Sequence, residues 1–161
     1  MAYPLQRLLQ VRMLREQSAA CEVLAAQRRL EKARAALRAA EKALADFLVW
    51  RAAEEERLFA RIRKKEIAYR RLEDHLLDIS LLRAREAGFH LRIQEAQKVC
   101  REREDELGRA RKAHQAAIQA EHKIEEHRKI WQSDEVVRQA AEEDREMEEF
   151  TGRKAIVGTE S

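Results

Sequence analysis

The chain has 161 residues, of which 39% are charged and only 5% are aromatic, with one proline and four glycines. This composition, dominated by Ala, Arg, Glu, Leu and Lys, is typical of a coiled coil or long helix and excludes a layered globular core. The 33 basic and 30 acidic residues nearly balance at a net charge of +3, which argues against a general polyanion binder. No apolar run approaches a membrane span and no secretory segment is evident, so we expect a soluble, cytoplasmic protein without direct membrane insertion.

Apolar residues in the first part of the chain repeat every seven positions in two parallel series. The series are Val23, Leu30, Leu37 and Leu44, and Ala26, Ala33, Ala40 and Phe47. Such repeats mark the a and d positions of a coiled coil. Alanine at successive d positions allows a partner helix to approach closely. We therefore predict a long helix, entered at Tyr3-Pro4-Leu5, whose seam packs on another helix.

The heptad register changes after Leu44. The later apolar positions are Leu48, Leu58, Ile62, Tyr69, Leu72 and Leu76, offset by four residues from the earlier series. An insertion of four residues locally unwinds a supercoil, so both seams cannot be fully buried there. Trp50 and Phe59 fall near this break, and we predict that they are exposed and contact a partner.

The centre of the chain, residues 73–82, contains Asp78 and Ser80, which are residue types that cap helix starts. We interpret this stretch as a hairpin tip at about 77–80, between arms at about 5–76 and 81–150. These form one domain, residues 1–150, followed by a disordered tail at 151–161. In this register Cys21 would face about Gln132, and Cys21 and Cys100 would be too far apart for a disulfide. The alternative is that nothing turns here, because no Gly or Pro is present, and one long helix pairs with another chain.

The second arm keeps one register throughout. Its seam positions are Leu82, Phe89, Ala96, Ala110, Ala117, Ile124 and Trp131, and Ile93, Cys100, Leu107 and His114. Residues 1–40 contain eight basic and three acidic residues, whereas residues 121–149 contain five basic and eleven acidic residues. Antiparallel folding would place these blocks side by side. The predicted fold class is therefore all-α, with two long helices forming an antiparallel coiled-coil hairpin.

Catalytic and cofactor motifs are absent from the sequence. No histidine has a glutamate three residues before it, as in di-metal helical bundles, and no phosphate loop, Cys-x-x-Cys or nucleophile motif occurs. Residues 121–127 contain two histidines and three glutamates but do not form a recognisable metal motif. The basic run between Arg57 and Arg71 is best interpreted as a solvated helix face. We expect no enzyme activity, no cofactor or metal, and no nucleic-acid partner.

Three stretches of the chain resemble the YscO (SctO) family of type III secretion proteins, which is related to the flagellar export protein FliJ. They are the opening Tyr3-Pro4-Leu5 with Leu8-Leu9 and Val11-Arg12, the central Phe47-x-x-Trp50-Arg51-x-x-Glu54-Glu55-x-Arg57-Leu58-Phe59, and the acidic close from Glu142 to Phe150. The resemblance covers nearly the whole chain. The central motif is its most specific part, because any coiled coil supplies the Ala/Glu/Arg repeats.

The resemblance implies a monomeric, non-enzymatic central stalk at the base of a secretion apparatus. The stalk would link and stimulate the hexameric export ATPase and contact the cytoplasmic ring of the export gate, and some family members also capture secretion chaperones. We assign the gate contact to Trp50, Arg51, Glu55, Leu58, Phe59, Leu76 and Leu77, and the ATPase contact to Arg7, Arg12, Arg15, Glu146 and Glu149. The alternatives are a homodimeric structural coiled-coil adaptor unrelated to secretion and a rod that binds RNA or lipid.

Overall fold

The structure, a computed structural model, describes residues 2–64 and 69–159 as two long helices. Helix α1 spans Gln6–Lys64 and helix α2 spans Tyr69–Thr159, with 59 and 91 residues. The N–H group of Gln6 donates to the carbonyl of Tyr3 at 3.2 Å, and that of Leu9 donates to the carbonyl of Leu5 at 2.9 Å. Pro4 thus stands just before the first helical turn, where its missing N–H leaves no bond unmade.

The predicted tip at 77–80 is wrong, because these residues lie inside α2. Ile79 between the two cap-type residues is only 6% exposed, so packing against α1 holds this stretch in the helix. Asp78 and Ser80 are exposed, and their side chains can project to solvent without ending the helix. Helix α1 ends at Lys64 and α2 begins at Tyr69, and the sequence of residues 65–68 contains neither glycine nor proline.

The predicted disordered tail is also wrong for residues 151–159, which belong to α2; residues 160 and 161 lie outside the described part. Thr151 Oγ1 donates to the carbonyl oxygens of Met147 and Glu148 at 2.8 and 3.0 Å, which joins this turn to the preceding one. A single glycine such as Gly152 weakens a helix without ending it.

The helices pack together in two units. The terminal unit comprises Met1–Cys21 and Lys112–Ser161, and the 22–111 unit comprises Glu22–Arg111. In the 22–111 unit, Ala26, Leu30, Leu107 and Ala110 form a buried cluster against which Val23 packs. The small alanines let the helices approach closely, so even this two-helix pair has positions that exclude water.

The predicted heptad seams are confirmed in the 22–111 unit. Every member of both α1 series from Val23 to Phe47 is buried or half-buried, and so are the seam positions of α2 from Leu82 to Ala110. Among the positions assigned after the register change, Leu58 is 7% exposed, but Leu76 is 51% exposed and therefore lies outside the seam. The side chain of Tyr69 lies outside the described part.

Helix pairing is antiparallel in each unit, as the predicted fold class requires. In the 22–111 unit, Arg29 Nε lies 3.6 Å from Glu106 Oε2, and the Phe47 ring stacks on the Phe89 ring with centroids 4.6 Å apart. In the terminal unit, Tyr3 Oη lies 2.6 Å from His127 Nδ1. The pairing predicted from the misplaced tip is wrong, because it would have placed Phe47 opposite about Glu106. Both cysteines are free, with Cys21 exposed and Cys100 buried.

Candidate functional site

A groove with a charged rim crosses the helix pair in the 22–111 unit. It has a volume of about 300 Å³ and is called the Trp50 groove here; it is lined by Trp50, Glu54, Leu58, Asp78, Leu81, Leu82 and Arg85. Leu58 forms a buried floor, whereas Trp50 is 47% and Leu81 is 56% exposed. An exposed indole beside an exposed leucine is a usual anchor for a protein partner.

Helical spacing and an arginine hold Trp50 at the edge of this groove. Trp50 follows the buried Phe47 by three residues, so it lies one turn along and to one side of the seam. The two ring centroids are 6.0 Å apart. The guanidinium carbon of Arg85, on α2, lies 5.6 Å from the Phe47 centroid and 5.8 Å from the Trp50 centroid, within cation–π distance of both.

The opposite side of the same seam is a network of ion pairs. Arg51 donates a hydrogen bond to Glu86, and Arg83 Nε lies 3.1 Å from Glu55 Oε1. His90 Nε2 lies 3.2 Å from the second carboxylate oxygen of Glu86. The hydrogen bond from Arg51, followed by that from His90, lowers the pKa of Glu86 below its ordinary value. This side is an organised polar surface in which opposite charges already face each other.

The seven residues predicted to contact the gate do not form one patch. Trp50 lies in the groove, whereas Arg51 and Glu55 belong to the ion-pair network on the other side. Phe59 follows Glu55 by one turn and therefore shares its side; its exposure is 37%. Leu76 and Leu77 are also exposed, at 51% and 58%.

Leu58 is a correction to this predicted contact set. Its side chain is only 7% exposed and packs between the helices, so it supports the groove and is not free to insert into a partner. Leu81 and Arg85 also line the groove but were not predicted from the sequence. No sequence motif identifies these two residues, because they lie near Trp50 only through the pairing of α1 with α2. The wrong position of the predicted tip gave a different pairing.

The predicted ATPase contact residues all lie in the terminal unit but are not brought together. Tyr3 is 7% exposed and sits between His127 and Trp131, with ring centroids 5.8 and 5.5 Å away. Further along α1, Glu16 Oε1 lies 2.8 Å from His114 Nε2 of α2. Since α1 begins beside His127, the acidic residue Glu146 lies about 28 Å further along α2 at 1.5 Å per residue.

The three predicted arginines lie on α1, whereas the two glutamates lie on the part of α2 that extends past the start of α1. Arg7 and Arg15 are exposed, whereas Arg12 is half-buried and its Nε atom has no hydrogen-bond partner among the described residues. Glu146 and Glu149 are exposed and lie on a part of α2 where no residue is buried. The predicted juxtaposition of the basic and acidic blocks is therefore wrong for Glu146 and Glu149, although residues 121–127 do lie beside the start of α1.

Residues 136–158 of α2 are exposed at every position, and we call this segment the C-terminal overhang. Its exposed large apolar side chains are Val136, Val137, Met147, Phe150, Ile156 and Val157. Met147 and Phe150, three residues apart, line a shallow depression together with Glu143, Glu146 and Thr151. An acidic helix with an apolar ridge is suited to binding a helical or grooved partner.

Within residues 2–64 and 69–159, no cluster of three or more His, Cys, Asp or Glu side chains has an arrangement that could hold a metal ion, and this includes residues 121–127. None of the described helices combines the length and the apolar character that a bilayer crossing requires.

Two long antiparallel helices, with exposed aromatic and acidic side chains, place the protein in the class of all-α helical hairpins. The family model described as type III secretion protein YscO matches residues 5–153. The chain therefore belongs to the YscO family of type III secretion proteins. A 2.8 Å crystal structure of type III secretion protein YscO from Vibrio parahaemolyticus is similar at a TM-score of 0.81 and 29% identity, covering 91% of this chain and 92% of that one. No curated protein matches the sequence.

Proposed function

We propose that this protein is a non-enzymatic central stalk of a type III export apparatus. It links the hexameric export ATPase to the cytoplasmic ring of the export gate and stimulates ATP hydrolysis. Membership of the YscO family supports a role in secretion. The Trp50 groove carries the proposal of a stalk, because it gives the helix pair a contact surface that is separate from the acidic overhang.

The gate contact is centred on the Trp50 groove. Trp50 and Leu81 supply exposed apolar area, and Arg85 and Glu54 supply a charged rim that fixes orientation. Tryptophan and arginine are enriched among residues that dominate binding energy. Leu77, one turn before Leu81 on α2, extends this surface. Phe59 and Leu76, with Arg51 and Glu55 beside them, form a second strip that a ring-shaped partner can reach from the other side.

The groove is tested by titrating the purified gate ring domain with the full chain. Trp50→Ala should weaken binding at least tenfold, since removal of a central anchor costs about 2 kcal/mol or more. Val49→Ala is the matched control, because Val49 is 74% exposed on the same helix but does not line the groove. Equal binding by wild type and Trp50→Ala would place the gate contact elsewhere.

The ATPase contact is assigned to the terminal unit, with Arg7, Arg12 and Arg15 on α1 and Glu146 and Glu149 on the overhang. Exposed charges form weak contacts, which suit a partner that cycles through nucleotide states. Residues 136–154 of the overhang are exposed at every position, which suits entry into a pore.

Removal of residues 136–161 should abolish stimulation of ATP hydrolysis while leaving gate binding unchanged. Reversal of the three arginines to glutamate tests the α1 side separately, and added salt should weaken stimulation because exposed charges are screened within about 10 Å at 0.1 M. If the truncated chain stimulates ATP hydrolysis normally and the Trp50→Ala variant does not, the assignment of the ATPase contact to the terminal unit is wrong.

We further propose that the protein acts as a monomer at the cytoplasmic base of the apparatus. The buried cluster of Ala26, Leu30, Leu107 and Ala110 is completed within one chain, so a second chain is not needed to cover it. The homodimeric adaptor is distinguished by mass in solution, 18.9 kDa for the monomer or twice that value.

Secretion chaperones are proposed as partners of the exposed ridge at Met147 and Phe150, and co-purification with the truncated chain tests this assignment.

A further inference from the structure

Arg85 is placed to control the orientation of Trp50. Its guanidinium carbon lies 5.8 Å from the Trp50 centroid and 5.6 Å from the Phe47 centroid, so it contacts the rings of two neighbouring α1 turns from α2. Glu54 and Asp78 line the same groove, yet among the described residues neither forms an ion pair with Arg85. The observed contacts of Arg85 are thus with the aromatic rings.

We infer that Arg85 is a positioning residue that holds the Trp50 indole against Phe47 and keeps the Trp50 groove open for an apolar side chain of the partner. This inference rests on the proposed function of the groove. Trp50 is 47% exposed and Leu58 and Leu81 offer apolar surface beside it. Without the guanidinium, the indole would be free to rotate over these leucines and occupy the space that a partner side chain needs.

The planar guanidinium is the part of Arg85 that matters. A guanidinium stacks over an aromatic face, whereas a lysine ammonium is a compact, strongly hydrated charge. Arg85→Lys therefore preserves the charge on the groove rim and removes the stacked plane. A role in simple charge attraction would survive this change, and the positioning role would not.

Tryptophan fluorescence tests the inference without any partner. Because the chain has two tryptophans, Trp50 and Trp131, the Trp131→Phe variant reports Trp50 alone. In that background Arg85→Lys and Arg85→Ala should lower acrylamide quenching of Trp50, because the indole then packs over Leu58 and Leu81 and is shielded from the quencher. Arg92→Ala is the matched control, since Arg92 lies 5.4 Å from the Phe89 centroid and contacts no tryptophan.

Binding to the purified gate ring domain is measured with the same variants, and circular dichroism checks that helicity is retained. Both Arg85 variants should raise the Kd about two- to fivefold, whereas Arg92→Ala should not change it. Unchanged quenching in the Arg85 variants, or changed quenching with an unchanged Kd, would overturn the positioning role. Failure of the unmodified protein to bind the ring domain would instead overturn the proposed gate contact.

Discussion

Replacement of Leu58 by alanine distinguishes a structural residue from a binding residue in the segment of α1 that contains Trp50. Leu58 is 7% exposed at the floor of the Trp50 groove, whereas Trp50 is 47% exposed at its edge. Burial of Leu58 makes its truncation a cavity-forming change, and such Leu→Ala changes cost about 2–5 kcal/mol. We expect about 2 kcal/mol, the lower end of this range, because a two-helix core is open to solvent on both sides and can relax.

The assay is unfolding followed by circular dichroism in urea and on heating. For a chain of this size, 2 kcal/mol corresponds to a fall in Tm of about 4–8 °C. Trp50→Ala should change stability by less than about 0.5 kcal/mol, as is usual for exposed positions. If Leu58→Ala kept the wild-type Tm but lost gate binding, the assignment of Leu58 to the core would be refuted and the sequence-based contact assignment restored.

Two further predictions address the pairing of the helices and its electrostatics. In a chain without native cysteines, Phe47→Cys with Phe89→Cys should form a disulfide within one chain, whereas Phe47→Cys with Glu106→Cys should not; the reverse result would support the pairing predicted from the sequence. Glu86 has a lowered pKa because Arg51 donates a hydrogen bond to its carboxylate, so its contribution to stability is present above the ordinary value of 4.5 and is lost as the pH falls through the lowered pKa. The Tm difference between wild type and Glu86→Gln should therefore shrink as the pH falls below 4.5 towards the lowered pKa. A Tm difference that stays constant over this pH range would contradict the ion-pair assignment.

The sequence predicted the fold class and the residues of the seam because both depend on local periodicity. Every α1 position from Val23 to Phe47 in the two heptad series faces inward, as the spacing required. Arg103 occupies the seam position seven residues after Ala96 and is half-buried, so the heptad period holds even where the residue is charged.

The position of the break between the helices could not be predicted, because capping signals are ambiguous without tertiary contacts. Asp78 and Ser80 have the side chains of a helix start, but Ile79 between them packs into the seam. Helix α1 ends at Lys64 and α2 begins at Tyr69, and the residues between these bounds include no glycine or proline that would have marked the helix ends in the sequence. The groove depends on this break, since Arg85 and Leu81 meet Trp50 only in the correct pairing.

The pairing of the helices also changes the meaning of the charge pattern. The acidic and basic blocks of the sequence favoured antiparallel helices, and the helices are antiparallel. Tyr3, however, lies beside His127, so residues 142–149 extend past the start of α1. Those eight positions contain six acidic residues and one arginine, and they cannot neutralise Arg7 or Arg15 at that distance. Exposed charge and the apolar side chains of Met147 and Phe150 therefore remain available on the overhang. This exposure of charged and apolar side chains is the physical basis of the proposed ATPase contact on the overhang.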